Sequence, residues 1–210
     1  MSKILVGIAG WSYPDWKGLV FPRETQFNKL EYLARYFNTV EINTSFYSIP
    51  SLKLVEGWLR SVRSNPEFSF AVKVHKQLTH GEDTQKGQPQ IVESTVRAFN
   101  EVLEPLRGAG KLGALLLQFP YRFHYTPENR DYLCAVLDVF REYPLVAEVR
   151  HRSFAQASFF KSSGVISLYI NFGSIHSVTS PKRMATTSLS SNRPRPTMDT
   201  VVILSSKSSQ

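Results

Sequence analysis

Hydrophobic and polar positions follow two alternating periods along this chain. Six short runs, ILVGIAG (4–10), TVEINTS (39–45), FSFAVKV (68–74), GALLLQF (113–119), LVAEVRH (145–151) and GVISLYINF (164–172), have the apolar or alternating character of strands. Between them FNKLEYLARYF, LKLVEGWLRSV, QIVESTVRAFNEVLEPL and PENRDYLCAVLDVFREY carry apolar residues three and four apart, as helices packed on a sheet do. Strand followed by helix, repeated, predicts βα units around a parallel sheet. Thr126 ahead of Pro127 is a suitable cap and first residue for the last of these helices. No GxGxxG follows the first strand and no GxxxxGK[ST] occurs anywhere, so the dinucleotide and P-loop folds lose their main support and a TIM (β/α) barrel is favoured.

The pattern changes near residue 173. Residues 174–210 hold 10 Ser and 5 Thr and no Phe, Tyr or Trp, and only VVIL at 201–204 has the makings of a short strand. A complete barrel usually needs ~250 residues. The expectation is therefore an incomplete α/β barrel of about six of the eight strands over residues 1–173, followed by an irregular, basic Ser/Thr-rich tail over 174–210. The net charge of +8 divides evenly between the two parts: five basic residues and one acid give the tail +4, which leaves the body mildly cationic. No apolar run approaches the ~20 residues of a membrane span, and the start lacks the features of a signal peptide, so a cytoplasmic protein without membrane contact is expected. The single cysteine, Cys134, excludes an internal disulfide and a multi-cysteine zinc site; its apolar helical setting reads as packing.

Candidate chemistry comes from parity within the strands. If Val40 and Ile42 face the helices, Glu41 and Asn43 face the barrel axis; if Phe70, Val72 and Val74 face the helices, Lys73 and His75 face inward. The same count places Gln118 beside Leu116, groups Glu148 with Arg150, and puts Trp11 at the end of an inward row begun by Gly7 and Ala9. These polar residues gather toward the carboxyl ends of their strands, where barrels carry their active sites. Glu41, Lys73, Glu148 and Arg150 are the candidate catalytic residues; Trp11, Asn43, Tyr47, His75, His80 and Gln118 are the candidate substrate-binding residues. Arg150 has the planar fork of a phosphate or carboxylate clamp, and Glu41 or Glu148 is a candidate base or metal ligand. An equally simple reading makes the same group a structural ion-pair network. No motif specifies a cofactor: a divalent metal is compatible with these side chains and not required by them. His75 and His80 have no metal-ligand spacing, and His124 and His151 have no patterned partner. The aromatics of GWSYPDWKG and SFYSIP read as loop packing or as surfaces for a base or sugar ring.

GWSYPDWKGLVFP, LEYLARYFNTVEINTSFYSIP, FSFAVKVHKQLTH, GALLLQFPYRF and AEVRHRSF, in this order and at these spacings, closely resemble the YecE-like family, domain of unknown function 72. The resemblance covers residue 4 to about 160 and implies a TIM-barrel fold. It carries over no catalytic residues; Trp11, Glu41, Asn43, Phe46, Tyr47, Lys73, Thr79, His80, Gln118, Pro120, Glu148, Arg150 and Ser153 occupy motif positions. A distant similarity of the family's fold to the apurinic-endonuclease type of barrel implies nucleic-acid binding, by analogy of fold alone. Where the family continues with an aspartate near the end of the sixth strand and a strand resembling YVRLHG, this chain has Asn171, Gly173 and the basic tail, which predicts truncation or a change of reading frame near 165–175.

Four functions fit this reading. The first is action on, or binding of, a phosphate-containing substrate such as nucleic acid or a phosphorylated small molecule; the second is a metal-free enzyme of the sugar-phosphate kind. The others are a non-catalytic interaction module and an inactive fragment with open sheet edges. The sequence specifies no oligomeric state.

Overall fold

The computed structural model describes residues 4–23, 26–83, 85–156, 167–170 and 200–204. Its strands are β1 (Ile4–Ala9), β2 (Thr39–Ile42), β3 (Ser69–Lys73), β4 (Leu112–Gln118), β5 (Leu145–Val149), β6 (Ser167–Ile170) and β7 (Thr200–Leu204). Every pairing is parallel, and the spatial order is β6-β5-β4-β3-β2-β1-β7. Sequential strands thus lie side by side in a curled sheet, the arrangement of a half-barrel. The expected six strands are present, and VVIL supplies a seventh that pairs beside β1 from Ile4↔Thr200 to Ile8↔Leu204. This is the short strand that VVIL allowed within the tail; the rest of 174–210, and Asn171 and Gly173, lie outside the described residues.

The helices are α1 (Lys29–Leu33), α2 (Thr44–Tyr47), α3 (Leu52–Ser61), α4 (Glu93–Gly108) and α5 (Pro127–Val139). Three of the longer connections begin with a side chain that satisfies an otherwise unpaired N–H: Asn28 accepts from Glu31, Ser51 from Leu54 and Thr126 from Asn129. Asn28 also donates to Ser61 Oγ at 2.7 Å, which ties α1 to α3. The expected extended run through Ser45 ends instead at Ile42, because Asn43 turns into helical conformation and Thr44–Tyr47 form a helical turn. Ser45 Oγ donates to the carbonyls of Ile42 and Lys73, at 2.9 and 2.7 Å, and so pins that turn to the end of β3.

The core lies between sheet and helices. Val40, Ile42, Phe70, Val72, Val74, Leu115, Leu117 and Phe119 contribute the sheet side; Val55, Trp58, Phe99, Leu103, Leu133 and Val136 contribute the helix side. Burial of these side chains is the main stabilising term, each worth roughly 1.5–3 kcal/mol. Cys134 does not join them: it lies exposed on the outer face of α5, because its neighbours Leu133, Val136 and Leu137 occupy the buried face. Trp11 also departs from the parity expected of it. Gly10 adopts the left-handed conformation (φ 76°), which ends the alternation of β1 and directs Trp11 edge-on against Trp58 at 6.0 Å.

Candidate functional site

The inward row of the sheet assembles at the carboxyl ends of β2 to β5. Register does this: Gln118 lies beside Glu148, and Lys73 beside Leu116, two residues before Gln118 on the same face. Lys73 Nζ donates to Gln118 Oε1 at 2.7 Å, and Gln118 Nε2 donates to Glu148 Oε2 at 2.6 Å. Arg150 Nε completes the row by donating to Glu148 Oε1 at 3.2 Å. The amide thus relays between a cation and an anion, and each of its ends has a single usable orientation.

Glu41 belongs to the same group from the β2 side. Burial raises its pKa above the ordinary carboxylate value and the charge of Glu148 adds to this, against the attraction of Lys73 and a hydrogen bond from Asn43. Lys73 is moved the opposite way: burial lowers its pKa and Arg150 adds to the effect, while Glu41 and Glu148 oppose it. Both groups are therefore drawn toward their neutral forms. The Lys73 ammonium lies 4.4 Å from the centre of the Phe46 ring, and Phe46 meets the His80 ring edge-on at 4.9 Å.

His80 borders the group on its β3 side. Its Nδ1 shares a hydrogen bond of 2.9 Å with the buried hydroxyl of Thr79, and burial followed by the charges of Lys73, Arg122 and Arg150 lowers its pKa to about 4. Arg122 itself donates to the carbonyls of His80 and Gly87, at 2.6 and 2.7 Å, and so ties the loop after β4 to the loop after β3.

Seven of the ten candidate residues thus gather in this group, and three do not. Glu41, Asn43, Lys73, Gln118, Glu148, Arg150 and His80 converge. His75 stands apart: its Nδ1 accepts from Gln77 N, and it lines a shallow depression of about 320 Å³ with Lys76, Gln77 and Glu82. Tyr47 is exposed against Phe46, and Trp11 packs on Trp58. Arg122 is the residue that sequence parity missed, because it lies in a loop without a period. His124 and His151, without a patterned partner in the sequence, stack ring on ring at 3.8 Å, and His151 Nδ1 shares a 2.8 Å hydrogen bond with Ser153. Among the described residues no group of three or more His, Cys, Asp or Glu side chains could hold a metal ion, and no helix is long and apolar enough to cross a membrane.

Comparison with known proteins places these features in a lineage. The family model described as "Protein of unknown function DUF72" matches residues 5–203, past the point at which the sequence blocks end. The chain is 31% identical over 178 residues to UPF0759 protein YunF of Bacillus subtilis, which covers 83% of this chain and 60% of that protein. It is 30% identical over 152 residues to UPF0759 protein YecE of Escherichia coli, covering 72% of this chain and 50% of that protein. The chain therefore spans between half and 60% of the length of these curated relatives. Among solved structures, a DUF72 family protein from Enterococcus faecalis matches with a TM-score of 0.62 at 30% identity, covering 75% of this chain and 55% of that one. One from Thermotoga maritima matches with a TM-score of 0.60 at 30% identity, covering 79% and 64%. With the family model spanning most of its length and its strand order that of a TIM-like sheet, this chain belongs to the DUF72 (UPF0759, YecE-like) family.

Proposed function

We propose that the carboxyl-end face of the sheet binds a phosphate-containing substrate, either a phosphorylated small molecule or a nucleic acid. The observation that carries this reading is geometric: Lys73 and His80 both pack on Phe46, Arg122 donates to the His80 carbonyl and Arg150 closes the same row through Glu148, around a ring whose pKa burial and these charges lower to about 4. A neutral imidazole among cations offers hydrogen bonds without adding to their repulsion, and the field of the cations attracts an anion. Arg150 supplies the bidentate element; its Nε is engaged by Glu148, which orients the guanidinium, and its side chain is 41% exposed. Glu41, drawn toward its protonated form, is the proton donor of the site.

Calorimetric titration of the full chain with inorganic phosphate tests this, beside Arg150→Gln. Saturable binding that weakens about tenfold or more in the variant is the expected result. Absence of binding, or equal affinity in the two proteins, leaves the row as an internal ion-pair network and overturns the reading. A 5′-phosphorylated single-stranded oligonucleotide separates the two substrate classes. Affinity lost in Arg150→Gln assigns it to this face; unchanged affinity with a steep salt dependence assigns it to the basic residues of 174–210.

A further inference from the structure

Lys73 is an unusual choice for a phosphate clamp. It leaves β3 at its carboxyl end, half-buried, with its amine over the face of Phe46 and hydrogen-bonded to an amide oxygen. Its backbone carbonyl is held by Ser45, so the base of the side chain is fixed while the amine alone reaches into the site. Glu41 projects from the same face of the neighbouring strand, in register with Ala71 two residues before Lys73. Arg150, two strands away beyond Gln118 and Glu148, is the separate anion-binding group.

We propose that Lys73 is a nucleophile that forms an imine with a phosphorylated aldehyde or ketone, with Arg150 anchoring the phosphate and Glu41 serving as the acid. This rests on the reading of the face as a phosphate site and gives it a substrate class. The neutral Nζ attacks the carbonyl carbon; the N–C bond forms as the C=O π pair moves to oxygen, and a proton passes from nitrogen to that oxygen. The Glu41 carboxyl protonates the resulting hydroxyl, which leaves as water while the nitrogen lone pair closes the C=N bond. Amine, carbonyl and carboxylic acid thus become a protonated imine, a carboxylate and one water. Lysine performs this chemistry when desolvation or a neighbouring cation disfavours its ammonium form, and here burial, the largest cause, lowers the Lys73 pKa, with Arg150 adding to it against the opposing charges of Glu41 and Glu148. Glu41, moved toward its acid form by burial, is matched to the proton that must be delivered.

The test is reductive trapping. The full chain is incubated at pH 7.5 with dihydroxyacetone phosphate and sodium cyanoborohydride, which reduces the C=N bond, and the modified lysine is located by peptide mass mapping. The expected result is one adduct per chain at Lys73, formed at least about tenfold faster than at exposed lysines such as Lys53. Lys73→Arg abolishes the adduct. Glu41→Gln, with Lys73 and Arg150 still present, slows it about tenfold to a hundredfold. Because the mapping is made on the unaltered protein, a variant that fails to fold does not remove the test.

Labelling confined to exposed lysines, with inorganic phosphate still binding, overturns the imine and leaves the phosphate site standing. Unphosphorylated dihydroxyacetone separates the other case. If it labels Lys73 as fast as the phosphorylated probe and inorganic phosphate does not compete, the nucleophile stands and the phosphate anchor falls.

Discussion

Burial draws His80 and Glu41 toward their neutral forms, with opposite consequences for stability. The pKa of His80 falls from 6.5 to about 4, so between these values the unfolded chain binds more protons than the folded one. Stability from this ring is therefore complete above pH 6.5 and lost as pH falls to about 4, by about 1–2 kcal/mol after solvent screening of a half-exposed ring. Glu41 is raised above 4.5, so the folded chain holds the extra proton there and stability falls as pH rises through its shifted value. The two slopes oppose each other. Urea unfolding across pH 4–7 is expected to show a steeper loss on acidification in Glu41→Gln than in the parent protein; equal slopes show that Glu41 titrates as an ordinary exposed carboxyl. Gln118 offers a second test at this scale. Gln118→Leu removes the side-chain hydrogen bond of the Lys73 ammonium and one of those to Glu148, and is expected to destabilise by about 2 kcal/mol in the same measurement. No loss of stability shows that water replaces the amide.

The elements are positioned by close backbone contact as much as by side-chain packing. Gly7 in β1 pairs with Thr39 in β2, and a Cβ at Gly7 would lie 2.1 Å from the Thr39 carbonyl oxygen. No rotamer relieves that overlap, because the obstacle is backbone. Gly7→Ala is expected to separate β1 from β2 and lower stability by about 3 kcal/mol, read as a shift in denaturant midpoint. On the other edge of β1, Val202 is in register with Val6. Val202→Pro deletes an N–H from that pairing and is expected to lower the melting temperature if the segment around 200–204 is seated there in solution; an unchanged melt shows that it is not. The βα pattern made every strand and the longer helices legible beforehand, since periodicity is a property of consecutive residues. The α2 turn was not, because Ser45 bonds to the end of a strand 28 residues away.

At the scale of the molecule, sheet and helices share one aromatic core. Phe68, Phe70, Phe99, Phe119, Phe140 and Phe154 are all buried, with edge-on and stacked contacts among Phe68–Phe70, Phe99–Phe140 and Phe123–Phe154. Rings held this way lie in fixed asymmetric surroundings, so the 210-residue chain is expected to give a near-ultraviolet circular dichroism signal lost cooperatively on heating. A featureless spectrum with no transition overturns a packed core for this chain. Belonging to the DUF72 family while spanning 50–60% of the length of YecE and YunF, it presents the β2–β5 face in a chain shorter than those relatives.

Local sequence was sufficient to decide which side chains each strand presents to each face, because alternation is imposed by the backbone and the apolar set can face only the helices. It identified Glu41, Lys73, Gln118, Glu148 and Arg150 as one inward row, and the family blocks as one lineage. It did not contain the contacts within that row. Lys73 and Gln118 are 45 residues apart, and Gln118 and Glu148 are 30 apart; whether they meet depends on strand register, which non-local packing sets. The same non-locality placed Trp11 on Trp58 after the turn at Gly10, stacked His124 on His151, turned Cys134 to solvent and brought Arg122 to His80. Each of these depends on where a loop or helix face comes to rest against a distant element, and no period along the chain encodes that.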